Sequence, residues 1–257
     1  MPTVKVRTHR EYTLEIDEET FPIPFNDETG AMENTAELII SQDGLRAVVG
    51  CLCADDSPED PFEMWDEGEF FQFSNRYIHH TPRPDIEEFK RIVRQNPGRV
   101  FLLDIYDYGS GGTSIKVRSA LTPQDTRGDK HTGENSKAEQ ELDDADGYYI
   151  CPSDVTDPQK YAEGALKAYE SWCNGDVYGV CLWFFERDYC NFDLNGTGIA
   201  ADGLTNWELI EDEREEVWGY YGDDAKQELK SALEAQKEKI NEPRPERTDP
   251  RQMALGF

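Results

Sequence analysis

The sequence predicts an α+β fold: a mainly antiparallel sheet with two or three covering helices. Three observations predict it. Short alternating segments near the start are joined by turn residues. Two apolar runs, 100–105 and 177–185, read as interior strands. Three amphipathic segments, 85–96, 157–172 and 223–240, carry helix-start signals.

The elements follow in chain order. Tyr12, Leu14 and Ile16 alternate with polar residues, as a half-buried strand does. Segments 36–40 and 45–53 flank Asp43-Gly44, a hairpin turn pair that tolerates positive φ. Pro58 and Pro61 assign the acidic stretch 54–69 to a loop, and 69–73 to a short strand. Asp85 opens a helix with Ile86, Phe89 and Val93 on its apolar face, and Asn96-Pro97-Gly98 closes it. The glycine-rich 108–113 follows a strand, lacks the lysine of a phosphate loop, and predicts a hairpin turn into 115–117. Asp157-Pro158 starts a helix lined by Tyr161, Ala165, Ala168, Tyr169 and Trp172. A last capped helix presents Ala225, Leu229, Leu233 and Ile240. The expected organisation is one domain over 1–240, with a polar, mobile insertion at about 119–146 and a disordered tail at 241–257.

Charge narrows the function. Fifty-four acidic residues oppose 26 basic ones, a net charge of −28. Such a chain repels nucleic-acid phosphates and anionic membranes, and attracts basic protein surfaces. Carboxylates concentrate in 55–69, 139–146 and 208–216. No run approaches a membrane span, and the opening MPTVKVRTHREY has no apolar signal core. The six cysteines therefore read as reduced thiols of a cytoplasmic protein, Cys51 and Cys181 in the core.

No cofactor, metal or catalytic residue is assigned. His79-His80 and Cys51-x-Cys53 match no zinc spacing. Asp193-x-Asn195-x-Thr197-Gly198 resembles half a calcium loop, but Leu204 stands where a bidentate glutamate belongs.

Several ordered motifs resemble a family of uncharacterised phage and mobile-element proteins. They are Trp65-Asp66-Glu67-Gly68, Asn75-Arg76-Tyr77, 103–109, 147–150 and 169–172, then Gly175-Asp176-Val177-Tyr178-Gly179 and Trp218-Gly219-Tyr220-Tyr221-Gly222. The resemblance covers about residues 58–222. It departs at Tyr106-Asp107-Tyr108, where the family has a histidine, and Tyr108 is no neutral-pH base. The resemblance implies a context in a host cell's cytoplasm rather than a mechanism.

These observations rank an acidic inhibitor first: a DNA mimic or anti-defence protein that binds a basic, nucleic-acid-binding host protein. Its expected surface is Asp55, Asp56, Glu59, Asp60, Glu63, Phe62 and Trp65, the aromatics serving with Phe70 as anchors. An alternative is a nucleotide- or nucleic-acid-processing enzyme using Asp66, Arg76, Asp107 and Tyr108. Another is a salt-adapted protein whose acidity is solvating. The oligomeric state stays open.

Overall fold

The computed structural model describes residues 3–8, 11–16, 19–24, 35–64, 67–74, 79–109, 112–128, 135–193 and 200–242. In chain order these form β1 (Thr3–Thr8), β2 (Glu11–Ile16), β3 (Glu19–Pro24), β4 (Glu37–Ile40), β5 (Arg46–Ala54), α1 (Pro61–Met64) and β6 (Glu69–Gln72). There follow α2 (Ile86–Gln95), β7 (Val100–Asp107), β8 (Thr113–Val117), α3 (Lys137–Asp144), β9 (Gly147–Ile150) and α4 (Pro158–Cys173). The chain continues through β10 (Val177–Glu186), β11 (Tyr189–Asp193), β12 (Ala200–Leu204), β13 (Glu208–Leu209), β14 (Glu215–Tyr221) and α5 (Asp223–Lys239). The fold is α+β with antiparallel sheets, as the sequence predicts.

Where one domain is expected, the chain divides into two compact units. Unit 1 is 1–56 with 178–257, and unit 2 is 57–177. Unit 1 holds the β1–β2–β3 sheet, the hairpin β11–β12, and the sheet ordered β13–β10–β5–β4, to which β14 adds by pairing β10. Asp43-Gly44 makes the predicted turn between β4 and β5, with Gly44 at φ 73°. Strands β5 and β10 are buried on both faces, which explains their unbroken apolar runs. Val48, Leu52, Val180 and Leu182 meet Leu229 and Leu233 of α5. On the opposite face Val49, Cys51, Cys181, Trp183 and Phe185 meet Ile16, Phe21 and Trp207. Gly222, at φ 55°, precedes α5 without a side-chain cap, so Asp223 is its first residue rather than its cap.

Unit 2 holds the sheet β6–β9–β7–β8. Strand β7 is central, as its apolar run requires, and its residues divide between the faces. Phe101, Leu103 and Ile105 face α4, while Val100 and Leu102 face α2 and α3. Asp85 caps α2 as predicted, its Oδ1 accepting from Glu87 N at 3.0 Å and Glu88 N at 2.9 Å.

The polar stretch 119–146 differs from the mobile insertion expected. It contains a 3-10 turn, Pro123–Thr126, and α3, whose Ala138 and Leu142 are buried in the core. Asp143 and Asp144 are unfavourable at a helix C-terminus. Two distant guanidinium groups compensate. Arg83 donates to Asp143 O and Ala145 O, and Arg118 to Glu141 O and Asp144 O. The expected tail lies outside the described residues from 243 on.

Candidate functional site

The acidic segment that the sequence singles out runs through the boundary between the units. Asp55 and Asp56 end unit 1, and Ser57 begins unit 2. Asp56, Glu59 and Glu63 are exposed, Asp55 is half-buried, and Met64 is 55% exposed. The stretch contains helix α1, a single turn, where a loop is expected. Proline is tolerated at its first position because that N–H is unpaired in any helix. Asp60 Oδ1 accepts from Phe62 N at 2.8 Å, and its carbonyl accepts from Glu63 N and Met64 N.

Asp60 is therefore not part of the exposed array. It is 7% exposed, and its Oδ2 lies 2.9 Å from His79 Nε2. Phe62 and Phe70 are likewise not presented outward. Phe62 stacks on Phe70 at 4.8 Å and packs against Tyr149, Tyr169 and His79. Phe70 is buried. Trp172 Nε1 donates to Pro58 O at 3.0 Å. Residues 58–62 are thus tied from inside by a carboxylate–imidazole pair, an aromatic stack and an indole bond. The sequence offers one signal for this, a histidine that completes no metal spacing.

One polar side chain sits deep beside this cluster, and an exposed cysteine lies near it. Gln72 is fully buried; its Oε1 accepts from Tyr169 OH at 3.5 Å and its Nε2 has no partner among the described residues. Cys173 is exposed at the end of α4, but partial desolvation of its thiol pushes it up to about 11, the Asp60 and Glu170 charges add to this, and Tyr169 opposes it. A thiol held there is protonated at neutral pH, so Cys173 is not an activated nucleophile.

A cavity of about 460 Å³ opens beside the first half of α4 in unit 2. Ala165, Ala168 and Gly164 of α4 and Val155 form its apolar lining, and Glu67, Asp157, Lys160 and Tyr161 supply its polar groups. Glu67 is the next-to-last carboxylate of the acidic segment. Its carbonyl accepts a short hydrogen bond from Tyr149 OH. Gly68 follows at φ 98°, where a Cβ would lie 2.4 Å from Ile150 O. Helical spacing puts Tyr161, Ala165 and Ala168 on one face, but in the sequence that face reads as core rather than as the wall of a cavity.

Half of the alternative site falls among the described residues. Trp65, Asp66 and Arg76 lie outside them. Asp107 and Tyr108 are exposed in the β7–β8 hairpin, where Asp107 Oδ1 accepts from Gly109 N at 2.8 Å. Tyr108 stacks on Tyr106 at 6.4 Å. Asp107 therefore shapes the turn that the glycine-rich sequence predicts.

Cys51 and Cys181 are buried as expected. Cys51 Sγ lies 3.7 Å from Cys53 Sγ, and a hydrogen bond to Cys53, with burial, holds Cys181 far above the usual thiol range. Among the described residues no group of three or more His, Cys, Asp or Glu is arranged to hold a metal ion. Strands β11 and β12, not helices, flank the calcium-loop resemblance, whose loop lies outside the described residues. No helix among them is long and apolar enough to cross a membrane. Comparison with known proteins finds no matching family model, no matching curated protein and no matching solved structure.

Proposed function

We propose that the chain is an acidic binding protein that engages a basic, nucleic-acid-binding surface of a host protein and blocks it. The observation that carries this reading is the acidic segment held from within. Eight carboxylates fall in 55–69 without a lysine or arginine. The contacts of Asp60, Phe62 and Pro58 fix the part of that segment bearing Glu59 and Glu63. A fixed backbone spares the chain-ordering cost that a flexible tail would incur on binding. The carboxylates also steer a cationic partner and compete with the phosphates that such a partner normally neutralises. The motif resemblance to phage and mobile-element proteins supplies a setting in which inhibitors of this kind act.

The test is capture from a host-cell extract at low and high salt, followed by competition with double-stranded DNA. The expected result is a nucleic-acid-binding protein that DNA displaces and salt releases. The variant with Asp55, Asp56, Glu59 and Glu63 all changed to Lys loses the capture. Undiminished capture by that variant would refute the proposal. A salt-adapted protein instead loses stability when salt is removed and shows no such target.

A further inference from the structure

We infer that the cavity beside α4 is the seat for an arginine side chain of the basic partner. The inference rests on the binding reading above, and gives that surface the specific anchor that Phe62 and Phe70 do not provide. Charge alone confers little selectivity, whereas a side chain enclosed in a pocket carries much of an interface's energy.

The chemistry selects the guest. Glu67 and Asp157 outnumber Lys160 at the cavity, leaving a formal charge of −1 among its lining residues. An anion is therefore disfavoured. The apolar floor suits the methylene stem of a long cation, and the ring of Tyr161 suits a planar cation above it. Tyr161 remains a neutral phenol. Burial pushes it up to about 12, and the Glu67 carboxylate beside it raises it further. Guanidinium fits these features better than ammonium. It is planar, weakly hydrated and able to bond a carboxylate through two N–H groups. The positive end of α4 works against a cation near Asp157, whose Oδ1 caps that helix by accepting from Lys160 N at 3.2 Å. Glu67 therefore carries the main contact. The Tyr149 bond to its carbonyl and the glycine-only turn at Gly68 fix the backbone that carries it.

The position also fits. Glu67 belongs to the same acidic segment as Glu59 and Glu63, so a partner drawn to those carboxylates meets the cavity on the same stretch of chain. That continuity favours a side chain of a docked protein over a free guanidine metabolite.

Gly164 permits a clean test. A Cβ there would meet nothing within 4 Å among the described residues, so Gly164→Leu adds bulk beside the opening from a point free of contacts and improves helix propensity. The whole 257-residue chain is titrated with Ac-Gly-Arg-Gly-NH2, with the citrulline analogue, which keeps the shape and removes the charge, and with agmatine. Amide chemical shifts are followed by NMR. The Arg peptide is expected to move the amides of Glu67, Tyr161, Gly164 and Ala165, and citrulline to bind about tenfold more weakly or less. Gly164→Leu is expected to abolish the shifts without lowering Tm, and Glu67→Gln to weaken binding about fivefold or more. Equal binding of Arg and citrulline peptides, or unchanged binding in Gly164→Leu, overturns the seat. Agmatine binding about tenfold tighter than the peptide overturns its assignment to a partner chain. If host capture succeeds while the peptide moves none of these amides, the seat alone fails. If the peptide binds and capture fails, the reading of a basic partner falls and takes that assignment with it.

Discussion

Each unit buries both faces of its main sheet, but the covering layers differ. In unit 2 helices cover both: α4 on one face, α2 and α3 on the other. In unit 1 α5 covers one face, and residues of the β1–β2–β3 sheet close the other, with Phe21 stacked on Trp207 at 5.4 Å. The difference teaches where close backbone approach is tolerated. In unit 2 strands β6 and β9 meet with no room at Gly147, where a Cβ would lie 2.3 Å from Phe71 O. In unit 1 a Cβ at Gly50 would meet only the ends of Leu182, Leu233 and Leu229, at 2.9–3.0 Å. Backbone cannot yield as a leucine methyl can.

That contrast gives the largest expected effect. Gly147→Ala should lose about 3 kcal/mol or more, because the β6–β9 ladder must separate, whereas Gly50→Ala should lose about 1 kcal/mol through leucine repacking. Urea unfolding of the two variants measures both. Equal losses would break the comparison.

The next effect concerns α3, which belongs to the core of unit 2 although its sequence reads as an insertion. Leu142 is 3% exposed, so Leu142→Ala should cost about 2–4 kcal/mol. A mobile insertion would register within about 0.5 kcal/mol. The same urea experiment decides between them.

These two cases show what was legible. The helices with local signals were: Asp85 and Asp157 cap their own helices, and the alternation around Asp43-Gly44 fixes its own hairpin. Strands β7 and β10 were legible because burial on both faces leaves an apolar run. Helix α3 was hidden because its C-terminal carbonyls are satisfied by Arg83 and Arg118, both distant in sequence. The inward role of Asp60 was hidden because its partner, His79, lies nineteen residues away. An acidic stretch reads as a solvated surface whichever carboxylate turns inward. The cavity joins Glu67 to residues nearly a hundred positions later, and only Gly164, a helix-weakening residue on an otherwise apolar face, hinted that the face was not fully packed.

A smaller effect separates the polar ties of the two units. In unit 2 Asp60 is buried on His79, whereas in unit 1 Glu19, more exposed, bonds Arg187 and Trp207. His79→Ala strands a buried carboxylate and should cost about 1–3 kcal/mol. It should also speed amide exchange at Glu63 and Met64, which donate to the Asp60 carbonyl. Glu19→Gln should cost less, because the glutamine carbonyl still accepts a hydrogen bond from the groups that Glu19 serves and only the charge is lost. If exchange at Glu63 and Met64 is unchanged in His79→Ala, the acidic segment is not held from inside.

The smallest effect tests helix starts. Those of unit 2 are fastened by side chains, whereas α5 of unit 1 begins at Gly222 with none. The 3-10 turn Pro123–Thr126 is the clearest case, because one carboxylate closes it. Asp125 Oδ2 accepts from Thr122 Oγ1 at 2.6 Å and from Thr122 N at 2.7 Å. The hydroxyl bond, with the backbone bond and the charge of Lys137, holds the Asp125 carboxyl below its ordinary value against the opposing effect of burial. The sign follows. A carboxyl whose folded pKa is depressed contributes stability above its unfolded pKa, near 4, and loses that contribution as pH falls through the folded value. Asp125→Asn keeps the shape but removes the charge, so it should cost about 1 kcal/mol near neutral pH. The gap between variant and parent should then narrow as pH drops below about 4 and close once pH falls below the folded value, where the parent carboxylate is protonated too. Thermal unfolding at pH 7 and again in acid reads the difference directly. A gap that persists unchanged in acid would show that Asp125 fastens the turn by shape rather than by its charge.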